Sequence, residues 1–366
     1  MRLFITCFLI VFCSISFAQE KQYTSYVDVN YFGGYIALHN NEILHLIQEH
    51  PQGVILSWNK QTYGFEDWEQ RYNYPDYGVS LAYQNFKNEV LGKNISVYAH
   101  YNFYFFKRHV MCRIGQGLAF NSNPYDKVSN PKNVAFGSSI LSSTFMMLNY
   151  KKEHIFDKFG VQAGLSLIHY SNANVKSPNN GTNTVALNLG VTYDLDEATP
   201  EYKHTLDKAT DRKFTEPITY NLVFRSGINE SDLIGSGQYP FYIFSAYADK
   251  RLNRKSALQL GTDIFFSNFL KELIRFRSIA FPEDNISGDE DFKRVGVFLG
   301  HELFINKTSL LSQLGYYVYY PYEFEGRFYI RAGLKRYFSK KWFGALTLKS
   351  HGFRAEAVEF GVGLRL

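Results

Sequence analysis

A two-residue alternation of apolar and polar side chains runs from about residue 25 to the last residue of the sequence. In the final stretch, small or charged residues alternate with five apolar ones, Val358, Phe360, Val362, Leu364 and Leu366. Successive side chains of a β-strand point to opposite faces, so this pattern predicts strands with one apolar and one polar face. Small and charged residues on the second face favour a polar lumen over the core of a sandwich.

Segments with this alternation cover most of the chain. They are 25–38, 52–62, 77–87, 94–106, 109–121, 138–150, 158–171, 183–195, 217–229, 240–252, 256–268, 293–305, 308–319, 325–338, 341–350 and 354–366. Each segment with its connector averages roughly twenty residues, which suits the repeat of a membrane barrel. The sequence therefore predicts an all-β fold, a transmembrane antiparallel outer-membrane β-barrel of about 14–16 strands.

Two segments interrupt the alternation. Residues 39–50 predict a short helix that opens after Asn40, and residues 196–216 are polar and charged and contain Pro200. Eight predicted strands precede the second segment and eight follow it. It is therefore either a periplasmic connector within one barrel or a linker between two smaller barrels, and counting strands does not choose between these arrangements.

The start of the chain has the organisation of a secretory signal peptide. Arg2 precedes an apolar run from Leu3 to Phe12, and Ser16-Phe17-Ala18 forms a small-x-small cleavage site before Gln19. We therefore expect a signal peptide at 1–18, a barrel segment at 19–195, a polar connector at 196–216 and further barrel strands at 217–366.

The composition agrees with an exported membrane barrel. Aromatic residues make up 17% of the chain, with 28 Tyr and 33 Phe, as the aromatic girdles of a barrel require. Of three cysteines, Cys112 alone lies outside the expected signal peptide, so no internal disulfide is predicted. The net charge of +5 is modest and forms no basic stripe, so nucleic acid is not an expected partner. A soluble periplasmic β protein is the alternative at this level.

The polar residues that carry chemistry fall at the turn between the seventh and eighth predicted strands. His169 and Ser171 are two residues apart, so both side chains leave the face that also carries Leu165 and Leu167. On the next strand, Asn183 shares its face with apolar residues in the same way. All three should project toward lipid, and they lie at the outer-leaflet end if the termini are periplasmic.

This set fits the template of a serine hydrolase. Ser171 would be the nucleophile, His169 its general base, and Asn183 the acceptor that fixes the imidazole tautomer. Asn172 and Gly181 are the candidates for oxyanion stabilisation and substrate binding. The alternative is that His169 and Ser171 are ordinary interface residues near a strand end.

The same stretch resembles a known family. His169-Tyr170-Ser171-Asn172-Ala173, followed by Pro178-Asn179-Asn180-Gly181, is similar to the signature of the outer-membrane lipid A deacylase family. The resemblance covers about residues 26–195 and implies an eight-stranded barrel in which the His and Ser are catalytic and the following Asn lies near the oxyanion site. The third catalytic residue of that family is usually Glu, whereas Asn183 stands at this place here.

A second resemblance concerns the triad. Outer membrane phospholipase A also has a His-x-Ser-Asn core, and its third catalytic residue is an Asn at a similar spacing, which implies a working Ser-His-Asn arrangement. That family binds calcium, but residues 172–183 contain no Asp or Glu, so we expect no obligatory calcium, no metal site and no cofactor. His39, His45 and His50 share no helix face well, which favours a solvated loop over a metal site.

The predicted function is an outer-membrane acyl-ester hydrolase that acts on lipid A or another outer-leaflet lipid. A pore or structural barrel without catalysis, and an inactive deacylase relative, are the alternatives. The substrate lipid and the membrane are the expected partners, while the oligomeric state and the role of residues 217–366 stay open.

Overall fold

The computed structural model describes residues 23–197, 199–207, 211, 213–352 and 354–366. The expected signal peptide at 1–18 lies outside the described residues. Within the described part, sixteen antiparallel strands form two closed barrels of eight strands each. The all-β membrane-barrel prediction is confirmed, and the open question of arrangement is answered: the polar segment after the eighth strand joins two small barrels.

The strands follow the chain order around each barrel. The first barrel contains β1 (Tyr23–Ile36), β2 (Gln52–Thr62), β3 (Asp76–Asn85), β4 (Lys93–Phe105), β5 (Val110–Asn121), β6 (Ile140–Phe156), β7 (Phe159–Ser171) and β8 (Thr182–Asp194). The second contains β9 (Thr219–Asn229), β10 (Tyr239–Arg251), β11 (Ser256–Ser267), β12 (Lys293–Phe304), β13 (Thr308–Tyr319), β14 (Phe328–Tyr337), β15 (Trp342–His351) and β16 (Arg354–Arg365). Pairing of β1 with β8, and of β9 with β16, closes the barrels.

Short helices lie in the connections. A 3-10 helix spans Asn41–Leu46, and the Asn40 side chain caps it by accepting a hydrogen bond from the Glu42 backbone N–H at 3.0 Å, in agreement with the predicted helix. The sequence did not predict helix α1 (Asp67–Arg71), helix α2 (Asn268–Ala280) or the 3-10 turn Pro282–Asp284. Among the described residues, no helix is long and apolar enough to cross a membrane.

Helix α2 has a buried side that the strand pattern does not reveal. Phe269, Leu270 and Ile274 are buried and form a small cluster with Tyr322 from the loop after β13. These positions follow helical spacing, so one face of α2 packs against the end of the second barrel.

The outer surfaces of both barrels are apolar. On β8, Leu187 is 70% exposed and Leu189 is 65% exposed, while the intervening Asn188 is buried. On β16, Phe360 is exposed and its neighbour Glu359 is fully buried. Apolar side chains outward and polar side chains inward are the pattern of a protein that crosses the outer membrane as a β-barrel.

The lumen of the first barrel is filled by a buried polar network. The Arg113 guanidinium donates hydrogen bonds to Asp28 at 2.7 and 3.0 Å, to Ser57 at 2.7 Å and to Asn102 at 2.7 Å. Asn59 and His100 extend the network. An eight-stranded barrel is just wide enough for side chains to fill its interior, as they do here.

The lumen of the second barrel is filled by ion pairs. Arg331 lies 2.7 Å from Asp263 and 2.6 Å from Glu359, and Arg225 lies beside the same two carboxylates at 3.9 and 3.7 Å. Because these charges are paired and hydrogen-bonded, the barrel can bury them away from water.

The alternation of strand direction defines two ends of the first barrel. The loops 37–51, 122–139 and 172–181 lie at one end, here called the loop end, and residues 195–218 leave from the other, the connector end. Outer-membrane barrels have longer loops outside and short turns in the periplasm, so we infer that the loop end lies at the outer leaflet.

Candidate active site

His169 and Asn183 face each other across β7 and β8. They are direct partners in the strand register, and Nδ1 of His169 lies 2.7 Å from Oδ1 of Asn183. An amide oxygen only accepts hydrogen bonds, so Nδ1 carries the hydrogen. In the neutral imidazole, Nε2 is then free to accept a proton.

Both residues lie on the outer face at the loop end. His169 continues the row of Leu165, which is 53% exposed, and Leu167, which is 41% exposed, and is itself half-buried. Ser171 is the next residue in this row and is 7% exposed, because the loop that follows β7 covers it. The structure thus brings the three predicted residues together at the rim of the first barrel.

The Ser171 hydroxyl is held by the loop rather than by the imidazole. Its Oγ donates to Oδ1 of Asn179 at 3.0 Å and accepts from the Ala173 backbone N–H at 2.9 Å. Among the described residues, no hydrogen bond joins Ser171 to His169. The two Cα atoms are about 6–7 Å apart along the strand, so the hydroxyl must rotate to meet Nε2.

Asn179 is the residue of this site to which the sequence assigned no role. Its Oδ1 accepts both from the Ser171 hydroxyl and from the Asn172 backbone N–H, the latter at 2.8 Å. The Pro178-Asn179-Asn180-Gly181 stretch was the available signal, but nothing local shows that the first Asn turns back toward the strand end.

Asn172 and Gly181 are both adjacent to Ser171, but their N–H groups are engaged. The Asn172 side chain donates to the Lys176 carbonyl at 2.5 Å, and its Oδ1 is buried without a partner among the described residues. The Gly181 N–H donates to the Ala135 carbonyl at 3.0 Å. Because the Asn172 N–H donates to Asn179 and the Gly181 N–H donates to Ala135, neither backbone donor is available to a substrate in this conformation.

Gly181 instead provides space. It has φ of 64°, and a Cβ built on it would lie 2.7 Å from the Tyr170 carbonyl oxygen and 3.5 Å from both His169 Cε1 and Ser171 Cβ. A side chain here would therefore press on the strand end that carries both His169 and Ser171.

The three histidines of segment 39–50 have structural contacts. A ring nitrogen of His39, His45 and His50 hydrogen-bonds to the carbonyls of Asn180, Lys132 and Gly34, respectively, at 2.9, 2.8 and 3.1 Å. Among the described residues, no group of three His, Cys, Asp or Glu side chains is arranged to hold a metal ion. His39 and His45 thus connect loops at the loop end, next to the candidate site, and His50 bonds back to strand β1.

A second serine–histidine pair lies on the second barrel. Ser256 Oγ hydrogen-bonds to Nε2 of His301, at the connector end of β11 and β12. The sequence shows only His301-Glu302 here, without the second His of a zinc-binding HExxH motif. In the described part of the chain, Nδ1 of His301 has no hydrogen-bond partner that would fix the tautomer of the ring.

Fold and site together define a two-barrel outer-membrane protein with a serine, an imidazole and an orienting amide on the lipid-facing rim of its first barrel. Comparison with known families gives each barrel a separate match. Residues 52–192 match the family lipid A 3-O-deacylase (PagL), and residues 218–366 match the family acyloxyacyl hydrolase, C-terminal domain.

Other comparisons add little. No curated protein matches the chain. Similar solved structures include a mutant porin of Rh. blastica, at 9% identity over 94% of this chain and 100% of that one, with a TM-score of 0.18. They also include the outer membrane protein Omp33 of Acinetobacter baumannii, at 6% identity over 95% and 100% of the two chains, with a TM-score of 0.20. At such TM-scores these alignments carry no argument.

Proposed function

We propose that the protein is an acyl-ester hydrolase that removes an ester-linked acyl chain from lipid A or another lipid of the outer leaflet. The observation that carries the proposal is the 2.7 Å hydrogen bond between His169 and Asn183, on the lipid-facing rim beside Ser171. The match of the first barrel to the lipid A 3-O-deacylase family supports the same class of reaction.

The reaction would proceed in two steps. The Ser171 hydroxyl attacks the ester carbonyl while Nε2 of His169 takes its proton, and the imidazolium then gives this proton to the leaving alkoxide. The acyl group is left on Ser171. Nε2 of His169 then takes a proton from water, which attacks the acyl-enzyme. The imidazolium returns this proton to the Ser171 oxygen as the fatty acid leaves.

Asn179 would be displaced when substrate binds. Its side-chain oxygen accepts from both Ser171 and Asn172, which are the nucleophile and a candidate oxyanion donor. A carbonyl oxygen of the substrate that replaces this amide oxygen meets the Asn172 N–H and leaves the Ser171 hydroxyl free to turn to His169. Hydrogen-bond donors fixed in this way stabilise the oxyanion that forms during attack.

Asn183 would orient the imidazole without adding charge. It holds Nδ1–H and so keeps Nε2 available as the base, but it does not stabilise the imidazolium as the Glu of the lipid A deacylase family would. We therefore expect a slower enzyme than one with a carboxylate at this position.

The alternative is a pore or structural barrel without catalysis. A transport pore needs an open lumen, whereas Arg113 and Arg331 and their partners fill the interiors of the two barrels. A barrel without catalysis also has no use for an oriented imidazole on its lipid face.

The test is mass spectrometry of lipid A and phospholipids from cells that express the wild-type protein, Ser171→Ala or Ser256→Ala. We expect loss of one acyl chain from lipid A with the wild type and with Ser256→Ala, and intact lipid A with Ser171→Ala. Unchanged lipids in all three strains would support the non-catalytic alternative. Loss of activity with a chelator in a purified assay would show that calcium is needed, against our expectation.

A further inference from the structure

The loop that covers Ser171 is bonded to the second barrel as well as to the first. This loop, residues 172–181, meets the loop 230–238 between β9 and β10. Glu230, Ser231 and Gln238 of that loop make direct hydrogen bonds to it. The contact therefore links the candidate active site to a part of the chain for which the sequence suggested no role.

The first half of the active-site loop is held through Asn174. The Glu230 backbone N–H donates to the Asn174 carbonyl at 3.0 Å, and the Asn174 side chain donates back to the Glu230 carbonyl at 3.0 Å. Asn174 has φ of 62° and lies three residues after Ser171. Two reciprocal bonds thus fix the turn that leaves the proposed nucleophile.

The second half is held through Ser177. Its backbone N–H donates to Oε2 of Glu230 at 2.9 Å, and its hydroxyl donates to the Ser231 carbonyl at 2.5 Å. Ser177 lies two residues before Asn179, whose side chain holds the Ser171 hydroxyl. The position of Asn179 therefore depends on this contact with the second barrel.

The Glu230 carboxylate bridges the two loops. While Oε2 accepts from Ser177, Oε1 accepts from the Gly237 backbone N–H at 3.2 Å, which closes the loop of the second barrel on itself. Glu230 is 3% exposed and Ser177 is 2% exposed. A buried carboxylate that accepts backbone N–H groups makes charge-assisted hydrogen bonds, which are about twice as strong as neutral ones.

We propose that Glu230 is a positioning residue for the active site, and that the second barrel serves to fix the loop 172–181 around Ser171. This proposal rests on the proposed function. It gives the second barrel a part in the reaction without any contact with substrate: it limits the positions that Asn172 and Asn179 can take when Ser171 attacks.

The test compares Glu230→Ala, Glu230→Gln and the control Glu283→Gln in the full-length protein in detergent. Glu283 is an exposed acid in the 3-10 turn Pro282–Asp284 of the second barrel, and among the described residues its side chain makes no hydrogen bond or ion pair with the loop 172–181. Hydrogen exchange of the loop 172–181 and the kinetics of ester hydrolysis are measured on each variant. Glu230→Gln keeps one acceptor oxygen and guards against a failure of the alanine variant to fold.

We expect faster exchange in the loop 172–181, unchanged exchange in β7 and β8, and a kcat reduced by about tenfold to a hundredfold in Glu230→Ala with KM little changed. Misplacement of catalytic groups by about 1 Å is enough for a loss of this size. Glu230→Gln should fall between Glu230→Ala and the wild type, and Glu283→Gln should match the wild type. Since Ser177→Ala removes a bond of the same contact, its effect should add less than fully to that of Glu230→Ala.

Wild-type kcat in Glu230→Ala, or unchanged exchange in the loop, would overturn the proposal. An equal loss of activity in Glu283→Gln would also contradict it, because the effect would not be specific to the bridge. A wild-type protein without hydrolase activity would overturn the proposed function, and the positioning role with it. Hydrogen exchange does not depend on activity. Faster exchange of the loop 172–181 in Glu230→Ala would then show that the contact with the second barrel holds the loop and that only the proposed function had failed.

Discussion

Each barrel of this protein carries a serine and a histidine on its outer face, but the two pairs differ in their surroundings. In the first barrel, Asn183 fixes the His169 tautomer and a loop covers Ser171, at the end that lies in the outer leaflet. In the second, Ser256 meets His301 directly, yet at the connector end and without an orienting partner for the other ring nitrogen among the described residues. If the first pair is the active site, an oriented imidazole beside a covered hydroxyl is a better sign of a hydrolase than direct contact between the two side chains.

The two interiors are alike in one respect that matters for function. One is filled by a network around Arg113 and the other by ion pairs around Arg331. Neither has the wide interior of the larger barrels that conduct solutes. We therefore expect the proposed reaction on the rim or outer face of a barrel and not in a lumen.

Replacing Ser171 should lower the rate of hydrolysis more than any other substitution, whereas replacing Ser256 should not. Ser171→Ala should lower kcat for ester hydrolysis by roughly 10⁴-fold or more, because the reaction loses its nucleophile. Ser256→Ala removes the hydroxyl that contacts His301 on the second barrel and should leave the rate unchanged. Purified proteins assayed on lipid A in detergent, with heat-modifiability on gels to show that the barrels are folded, give the comparison. Equal losses in both variants would contradict the difference drawn between the two pairs.

The orienting amide should have the next largest effect. Asn183→Ala leaves Nδ1 of His169 without its acceptor, so the productive tautomer is no longer favoured, and we expect a loss on the order of tenfold to a thousandfold in kcat. Asn183→Glu should keep or raise the rate, since a carboxylate also stabilises the imidazolium. If Asn183→Ala has the wild-type rate, Asn183 does not orient the base.

Two glycines with similar backbone conformations offer a matched pair. Gly181 has φ of 64° and Gly352 has φ of 58°, but a Cβ would meet the Tyr170 carbonyl at Gly181 and nothing within 4 Å at Gly352. Alanine at either position should lower the free energy of unfolding by about 1–2 kcal/mol, because a residue with a Cβ is strained in the left-handed conformation. Only Gly181→Ala should also lose activity, by about tenfold to a hundredfold, as the end of β7 shifts. Equal activities would show that the space at Gly181 has no role in the reaction.

The smallest change is expected in stability, from the ion pairs of Asp211 at the connector end. Asp211 accepts hydrogen bonds from Arg71, near the first barrel, and pairs with Arg254 of the second at 3.1 Å. The hydrogen bond from Arg71 lowers the pKa of Asp211 below its usual value. A lowered pKa stabilises the folded state above the usual carboxyl range, and this contribution is lost as the pH falls through that range and below it. Asp211→Asn should lower the free energy of unfolding by about 0.5–1 kcal/mol at pH 7, and by less as the pH falls below the usual carboxyl range, measured by denaturant unfolding.

The strands were predictable because their signal is local. Alternation of side chains fixes both the existence of a strand and the face of each residue, so β2 and β13 have the predicted bounds. The same parity places His169, Ser171 and Asn183 on one face without any knowledge of the fold.

The remaining features depend on contacts between distant segments. Alternation is the same in one barrel of sixteen strands and in two of eight, and only the pairing of β1 with β8 separates them. Asn179 turns back to Ser171 because the loops 122–139 and 230–238 hold its neighbours on both sides. Helix α2 was missed because its buried residues lie in a segment that, by sequence, connects two strands.

We propose that the first barrel, and not the second, carries the nucleophile. This proposal is tested most directly with a fluorophosphonate probe that bears a long alkyl chain, followed by peptide mapping of the covalent adduct in detergent-solubilised wild-type protein. We expect a single adduct on Ser171, which is absent in Ser171→Ala and in His169→Ala and retained in Ser256→Ala. An adduct on Ser256, or labelling of Ser171 that persists without His169, would contradict it.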